Sequence, residues 1–289
     1  MAGKTLFIVN PVSGKLASRK KFNELSYQLS TNTNYNLVHT KYRGHATELA
    51  GAAINNYQTI IAVGGDGTIN EVASGILGSD AVLGIIPLGS GNGLTHHLGI
   101  PQDCIKALEL IETAQPKPID VIQVNNRIVI NVGGIGFDGH VAKMFNNSED
   151  RGLLAYMSLI IRELIKFKEF DYSLDAGVHS QTGKAFIIAI ANGSEFGNRF
   201  KVAPQANHND GKLTLVIIRK PPLLKLIRLF NMGYKGKLKP SKYYQSHLLE
   251  GASLTFSNTV AHVDGEIDEE LLSSPLKLTV SKSALMVYS

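Results

Sequence analysis

The feature that most constrains the fold is an unbroken apolar run, Thr59 to Val63, that ends in Gly64-Gly65-Asp66-Gly67-Thr68 and continues as a helical pattern from Ile69 to Leu77. A strand without polar alternation is buried on both faces, which calls for a parallel sheet covered by helices. Glycines at the strand end let backbone approach a ligand, and the amides that open a helix attract anions such as phosphate. Thr68 followed by Glu71 has capping-box spacing, which would fix where the helix starts. On spacing alone, a plain strand-to-helix turn remains an equal alternative. Asp66 tips the reading toward a ligand, because an acid inside a phosphate-attracting loop requires a cation between them and so suggests Mg2+ bridging to a nucleotide.

The same texture extends over the first 115 residues. Thr5 to Val9 and Leu83 to Pro87 read as strands, and Leu16 to Leu29 and Asp103 to Thr113 read as helices. Two more polar glycine loops follow strands of this sheet: Asn10-Pro11-Val12-Ser13-Gly14-Lys15 and Pro87-Leu88-Gly89-Ser90-Gly91-Asn92-Gly93. Ligands of open α/β sheets bind beyond the carboxyl ends of the strands, so three such loops converge on one crevice. Neither a Walker P-loop nor the protein-kinase catalytic set is present.

After Pro116-Lys117-Pro118 strand-like runs dominate. They are Ile119 to Val124, Arg127 to Gly133, Lys184 to Ala191, Lys212 to Arg219, Ala252 to Phe256, Val260 to Ile267 and Leu276 to Val280, with helices expected at Leu153 to Phe167 and Pro222 to Met232. The expected fold is an α/β domain over residues 1–118 and a mostly antiparallel second domain over 119–282, with about 283–289 free to return to the first.

Composition narrows the function classes. Hydrophobic residues make up 44% and charged residues 18% of 289, which excludes a disordered or coiled-coil chain. One cysteine, Cys104, excludes an intrachain disulfide or a cysteine zinc cage and fits a reducing compartment. The longest charge-free stretch, Ala81 to Gln102, is broken by five glycines and two prolines, so the expected location is cytoplasmic. Net charge is +5, yet Arg219 to Lys242 holds eight cations and no acid; removing those eight leaves −3. The basicity is a patch suited to a polyanionic or membrane-surface partner. Within it, Leu223, Leu224, Ile227 and Phe230 share one helical face. Such a face is ordinarily core, and Lys235, Lys237, Lys239 and Lys242 raise the alternative that this edge rests on an anionic membrane.

Asn10-Pro11 with Ser13-Gly14, the Gly64 to Thr68 loop with Asn70-Glu71-Val72, Pro87 to Asn92, Gly134-Ile135-Gly136-Phe137-Asp138 and Val263-Asp264-Gly265-Glu266, in that order, resemble the diacylglycerol kinase and sphingosine kinase superfamily. The resemblance covers essentially the whole chain. It implies an N-terminal α/β domain similar to those of NAD kinases and phosphofructokinases and a C-terminal β-sandwich, with ATP and lipid meeting in the cleft between them. It implies ATP contacts at Asn10, Pro11, Ser13, Gly14, Thr40, Gly64, Gly65, Asp66, Gly67, Thr68, Ile69, Asn70 and Ser90. Asp66 would organise the catalytic Mg2+, Asp120 would join the acid network around it, and Glu266 would take the proton from the lipid hydroxyl. A second, structural Mg2+ would sit on Asp210 and the backbone carbonyls of Asn207 and Lys212. The implied partner is a lipid at an anionic membrane surface, with peripheral contact and no nucleic acid; a homodimer is left open.

The residues by themselves keep other readings. Asp264-Gly265 alone reads as a hairpin turn with Glu266 on a solvated strand, and Asp210-Gly211 as an ordinary turn. Gly93 stands where many bacterial diacylglycerol kinases carry Asp, and Gly-Ser-Gly-Asn is closer to the sphingosine kinase pattern, which leaves the lipid open. Gly134-x-Gly136-x-x-Gly139 matches a dinucleotide fingerprint, but no acid follows about 20 residues on, so a backbone turn is expected. His96-His97 lacks metal-ligand spacing. The rival functions are an NAD kinase-like nucleotide kinase and a catalytically idle lipid-binding protein.

Overall fold

A computed structural model describes residues 4–14, 16–29, 33–146, 162–197, 199–257, 259–267, 271 and 275–289. The chain forms two compact units: Met1–Val121 with Gly197–Arg199 and Ser281–Ser289, and Ile122–Phe196 with Phe200–Val280.

The first unit is built on the strands Thr5–Val9 (β1), Tyr35–His39 (β2), Thr59–Gly64 (β3) and Val82–Pro87 (β4). All pair in parallel in the order β2-β1-β3-β4, and the C-terminal strand adds to β4 in parallel through Met286 and Val287. β1, β3 and β4 are buried at every residue, as their unbroken apolar runs require. Five helices accompany them: Leu16–Leu29 (α1), His45–Ala53 (α2), Asp66–Ile76 (α3), Gly93–Leu98 (α4) and Cys104–Thr113 (α5). Right-handed crossovers place α1 on one face of the sheet and α2 and α3 on the other. The packing agrees, α2 lying on α3 and α1 on α5. The chain therefore leaves β1 and β3 in opposite directions, and the switch point of the sheet falls between them.

The second unit is an antiparallel sandwich. One sheet joins Tyr244–Leu249, Leu213–Ile218, Ile187–Ala191, Val132–Gly136, Ala261–Val263 and Glu266–Ile267, in that order. The other joins the first residues of the C-terminal strand, Leu276–Tyr288, to Gly251–Phe256, Phe170–Asp175 and Gln181–Ala185. Ile188, Ile190, Leu213, Leu215 and Ile217 pack inward against Tyr172, Leu174, Leu254, Leu276 and Leu278. The alternate residues Ala189, Ala191, Val216 and Ile218 are covered from outside by Val202, Ala203 and Leu238. Burial on both faces explains why these antiparallel strands lack polar alternation.

Several boundaries differ from the sequence expectation. α3 begins at Asp66, three residues before the expected Ile69. The run Lys184 to Ala191 is two strands, because the chain changes sheets at Phe186, whose N–H bonds the carbonyl of Ile218 at 2.7 Å. Arg127 to Gly133 breaks between Arg127–Val129 and Val132–Gly136, and Val260 to Ile267 folds back on itself as a hairpin. Of the helix expected at Leu153 to Phe167, residues 162–166 are helical and residues 153–161 lie outside the described residues.

The helix Leu223–Tyr234 reverses the core expectation. It buries Leu226 and Gly233, while Leu223, Leu224 and Ile227 are 60%, 82% and 61% exposed. Gly233 decides this orientation, since a side chain there would overlap the ring of Phe200. Of the four residues read as one face, Phe230 alone packs against a neighbouring ring, that of Phe200 at 4.9 Å. No helix among the described residues is long and apolar enough to cross a membrane.

Candidate active site

β1 ends at Val9, and the Asn10 N–H bonds the carbonyl of Val63 at 3.0 Å, so the first loop starts where the two central strands end side by side. Asn10 Oδ1 accepts the Val12 N–H at 3.1 Å and shapes the turn at Pro11; its Nδ2 donates to Thr68 Oγ1 at 3.0 Å and ties the loop to α3. Gly14 has φ +80°, and a Cβ there would overlap the carbonyl of Leu88 in the third loop. A Cβ on Gly89 would sit 2.7 Å from Gly65 Cα. The Leu88 N–H bonds the Gly64 carbonyl at 2.7 Å. The three loops thus pack backbone against backbone, with no room for side chains between them.

The N-cap of α3 is Gly65, in extended conformation, and no side chain caps it. Thr68 and Glu71 do not form the expected capping box. Thr68 Oγ1 is taken by Asn10, and the Glu71 carboxylate accepts the N–H groups of Gly44 at 2.7 Å and Ala46 at 3.1 Å, so it caps α2 instead. This leaves the start of α3, with its partial positive charge, available to an anion.

Asp66 opens that helix, and its Oδ1 is buried. A Cβ on Gly91 would stand 3.0 Å from Asp66 Oδ2, so the missing side chain keeps a space open beside the carboxylate. The described residues contain no cluster of three or more His, Cys, Asp or Glu able to hold a metal. One carboxylate beside an open space fits Mg2+, which usually keeps waters and substrate phosphates as most of its ligands.

The remaining expected residues divide. Ser13 is half-buried on the first loop and Gly67 half-buried in the first turn of α3, while Pro11 and Ser90 are exposed on their loops. Ile69 is fully buried, so only its backbone can face a ligand. Asn70, one turn into α3, accepts the Ser74 hydroxyl at 3.4 Å. Thr40 follows the edge strand β2, its N–H on the Val9 carbonyl at 2.9 Å. Asp120 is 2% exposed and its Oδ1 accepts the N–H of Ser283, a positive-φ residue within the C-terminal strand, at 2.7 Å. Asp210 is exposed, its Oδ1 accepting the Lys212 N–H at 3.0 Å, while Asn207 Oδ1 accepts the Asn209 N–H at 3.3 Å. Both side chains close Asx turns.

In the second unit, Ala261–Val263 pairs with Glu266–Ile267 across a two-residue turn. Asp264 (φ 46°) and Gly265 (φ 89°) both have positive φ, as a type I′ hairpin demands. The Asp264 carboxylate is 5% exposed and accepts the backbone N–H groups of Ile130 at 3.1 Å, Asn131 at 3.0 Å and Val132 at 2.8 Å. Those contacts are what interrupts the strand read over Arg127 to Gly133. His262 Nδ1 accepts the Gly265 N–H at 3.2 Å, which puts the ring proton on Nε2, 2.8 Å from Asp138 Oδ2. A side chain at Gly134 would overlap both partners of that pair, and a Cβ on Gly139 would sit 2.9 Å from the Val260 carbonyl. The fingerprint glycines therefore serve close packing, Gly134 and Gly136 within the antiparallel sheet and Gly139 on the helix Phe137–Asn146 that follows it. Glu266, half-buried, is the first residue after this doubly anchored turn. The Asp138–His262 pair joins residues 124 positions apart, so Asp138 stands in the sequence only as part of the Gly134 to Asp138 motif, with no sign of its partner.

A parallel α/β unit with three loops packed at its switch point, followed by an antiparallel sandwich, is the two-domain class that the resemblance implies. Comparison with known proteins defines it further. The family described as "Diacylglycerol kinase catalytic domain" matches residues 4–124, and "YegS C-terminal NAD kinase beta sandwich-like domain" matches residues 131–289. A diacylglycerol kinase of Bacillus subtilis (strain 168) is 31% identical over 246 residues, covering 80% of this chain and 78% of that protein. A diacylglycerol kinase of Staphylococcus aureus (strain JH9) is 27% identical over 289 residues, covering 96% and 90%. The crystal structure of a diacylglycerol kinase from Bacillus anthracis str. Sterne matches with a TM-score of 0.76 at 21% identity, over 99% of this chain and 96% of that one, and shows the shared fold. The chain belongs to the diacylglycerol kinase catalytic-domain family with a YegS-type sandwich, and it is a lipid kinase.

Proposed function

We propose that this lipid kinase transfers the γ-phosphoryl group of ATP to the free hydroxyl of diacylglycerol, with Mg2+, at the surface of an anionic membrane. The observation that carries the reading is the packing of three glycine loops around the uncapped start of α3, with Asp66 at its first position. Backbone amides of Ser13, Gly14 and the Gly64 to Thr68 segment would hold the ATP phosphates, and Asn10 would keep the first loop in register through Thr68. Asp66 would hold the metal in the space that Gly91 leaves open. Bound there, Mg2+ supplies charge neutralisation on the phosphates being transferred.

Glu266 would accept the proton of the attacking hydroxyl, a role that needs a carboxylate held in a fixed place. Asp264 and His262 support it by anchoring the turn immediately before Glu266 on two sides. Diacylglycerol is favoured by the relatives, whose names carry that substrate. The Ser90-Gly91-Asn92-Gly93 loop favours a second reading, a sphingoid base, by its likeness to the sphingosine kinase pattern.

The test is to incubate purified protein with γ-labelled ATP, Mg2+ and, separately, diacylglycerol, a sphingoid base and NAD. Label in phosphatidate alone is expected. Label on the sphingoid base would move the substrate, label in NADP would make it a nucleotide kinase, and no product would favour an idle lipid-binding protein.

A further inference from the structure

We propose that the exposed face of the helix Leu223–Tyr234 docks the protein on an anionic bilayer, with Leu223, Leu224 and Ile227 entering the headgroup region and the surrounding cations meeting lipid phosphates. Positions 223, 224 and 227 fall within about one quadrant of a helical wheel, so the three side chains form one patch. They point away from the core because Gly233 and Leu226 define the buried side. Leu226 packs with Phe137, Val141 and Phe186. Three large aliphatic side chains at 60%, 82% and 61% exposure on one helix form the kind of patch that marks an interaction site.

Charge selects the occupant. Lys225, Arg228, Lys235, Lys237, Lys239 and Lys242 are all exposed, and among the described residues none of them is in an ion pair. Lys225 and Lys242 lie 5.5 and 5.0 Å from the centre of the Tyr243 ring, which gathers them on one side of the helix. No acid occurs between Arg219 and Lys242. An exposed apolar helical patch on a segment that carries cations and no acid is the pattern of an interfacial helix on anionic lipid. The other basic side chains of the segment, exposed Arg219 and half-buried Lys220, are committed elsewhere, to Glu169 and to backbone carbonyls. The purpose of this contact rests on the lipid-kinase reading, since the substrate lies in a bilayer.

The experiment compares wild type, the triple variant L223S/L224S/I227S, the single variant L224D and the quadruple variant K235Q/K237Q/K239Q/K242Q. Each is sedimented with phosphatidylcholine vesicles, and with vesicles containing equal phosphatidylcholine and phosphatidylglycerol. Each is also assayed for turnover on a short-chain, water-soluble diacylglycerol. Wild type is expected to bind the anionic vesicles, less as salt rises. The triple and single aliphatic variants should bind at least about tenfold more weakly, and the quadruple variant on the order of 10³-fold, near fivefold for each of the four cations. Turnover on the soluble substrate should stay within about twofold for all, because none of these residues is placed in the loops or on the Glu266 hairpin.

Unchanged vesicle binding by both aliphatic variants would overturn the proposal. So would a wild-type dimer that the triple variant dissociates, which would give the face to a second copy. Wild type that binds vesicles but phosphorylates no diacylglycerol would defeat the function reading and leave the docking face standing.

Discussion

Asp264 and Glu266 stand two residues apart, and the account gives them separate work. Asp264 is structural: three backbone N–H groups converge on its buried carboxylate. Asp264→Ala should destabilise the protein by about 3 kcal/mol, since it leaves buried donors without their charged acceptor. Urea unfolding measures this, and a loss under about 0.5 kcal/mol would mean the contacts are dispensable. The proposal puts Glu266 in catalysis. Glu266→Gln keeps shape and loses basicity, so turnover should fall by on the order of 10² to 10⁴ while ATP affinity by calorimetry is retained. Near-normal turnover would return Glu266 to a strand residue beside a turn; parallel loss of ATP binding would point to a damaged fold. The turn was legible in the sequence because Asp-Gly is the strongest short hairpin signal, and both residues do adopt positive φ. What Asp264 binds was not legible, because its donors lie more than 130 positions earlier.

Elements were readable where burial alone decides them. β1, β3 and β4 carry their apolar runs without interruption, and α1 has the bounds expected from the sequence. The elements that went unread signal weakly. β2 is a short, half-exposed edge strand, and α2 buries only Ala46, Ala50 and Ala53, fitting close against Gly75 of α3. The capping box failed for a tertiary reason: the amides of Gly44 and Ala46 take the Glu71 carboxylate. Glu71→Ala should therefore loosen α2 and leave the start of α3 as it is. Loss of a cap costs about 1 kcal/mol, so amide exchange over residues 46–50 should rise several-fold in hydrogen-exchange measurements while that over 69–73 stays as in wild type. Faster exchange in α3 would show that Glu71 caps its own helix after all.

At the scale of the whole chain, the architecture changes from parallel sheet with helices to antiparallel sandwich, the first unit running to Val121 and the second starting at Ile122. The interleaving is less visible in sequence. The short Gly197–Arg199 segment belongs with the first unit, where a Cβ on Gly197 would stand 3.4 Å from Gly91 Cα, and nothing in its composition announces that. The basic patch was visible as charge, but the outward turn of Leu223, Leu224 and Ile227 was not, because periodicity defines a face without saying which way it points.

If Asp66 organises phosphoryl transfer, the rate of label transfer from ATP to diacylglycerol at saturating Mg2+ and ATP separates wild type from Asp66→Asn. The substitution keeps volume and removes one charge, so circular dichroism should match wild type. Charge neutralisation at the phosphates is most of what such a kinase supplies. The rate should therefore drop at least about 10²-fold; a folded Asp66→Asn protein working within a few-fold of wild type would contradict the account.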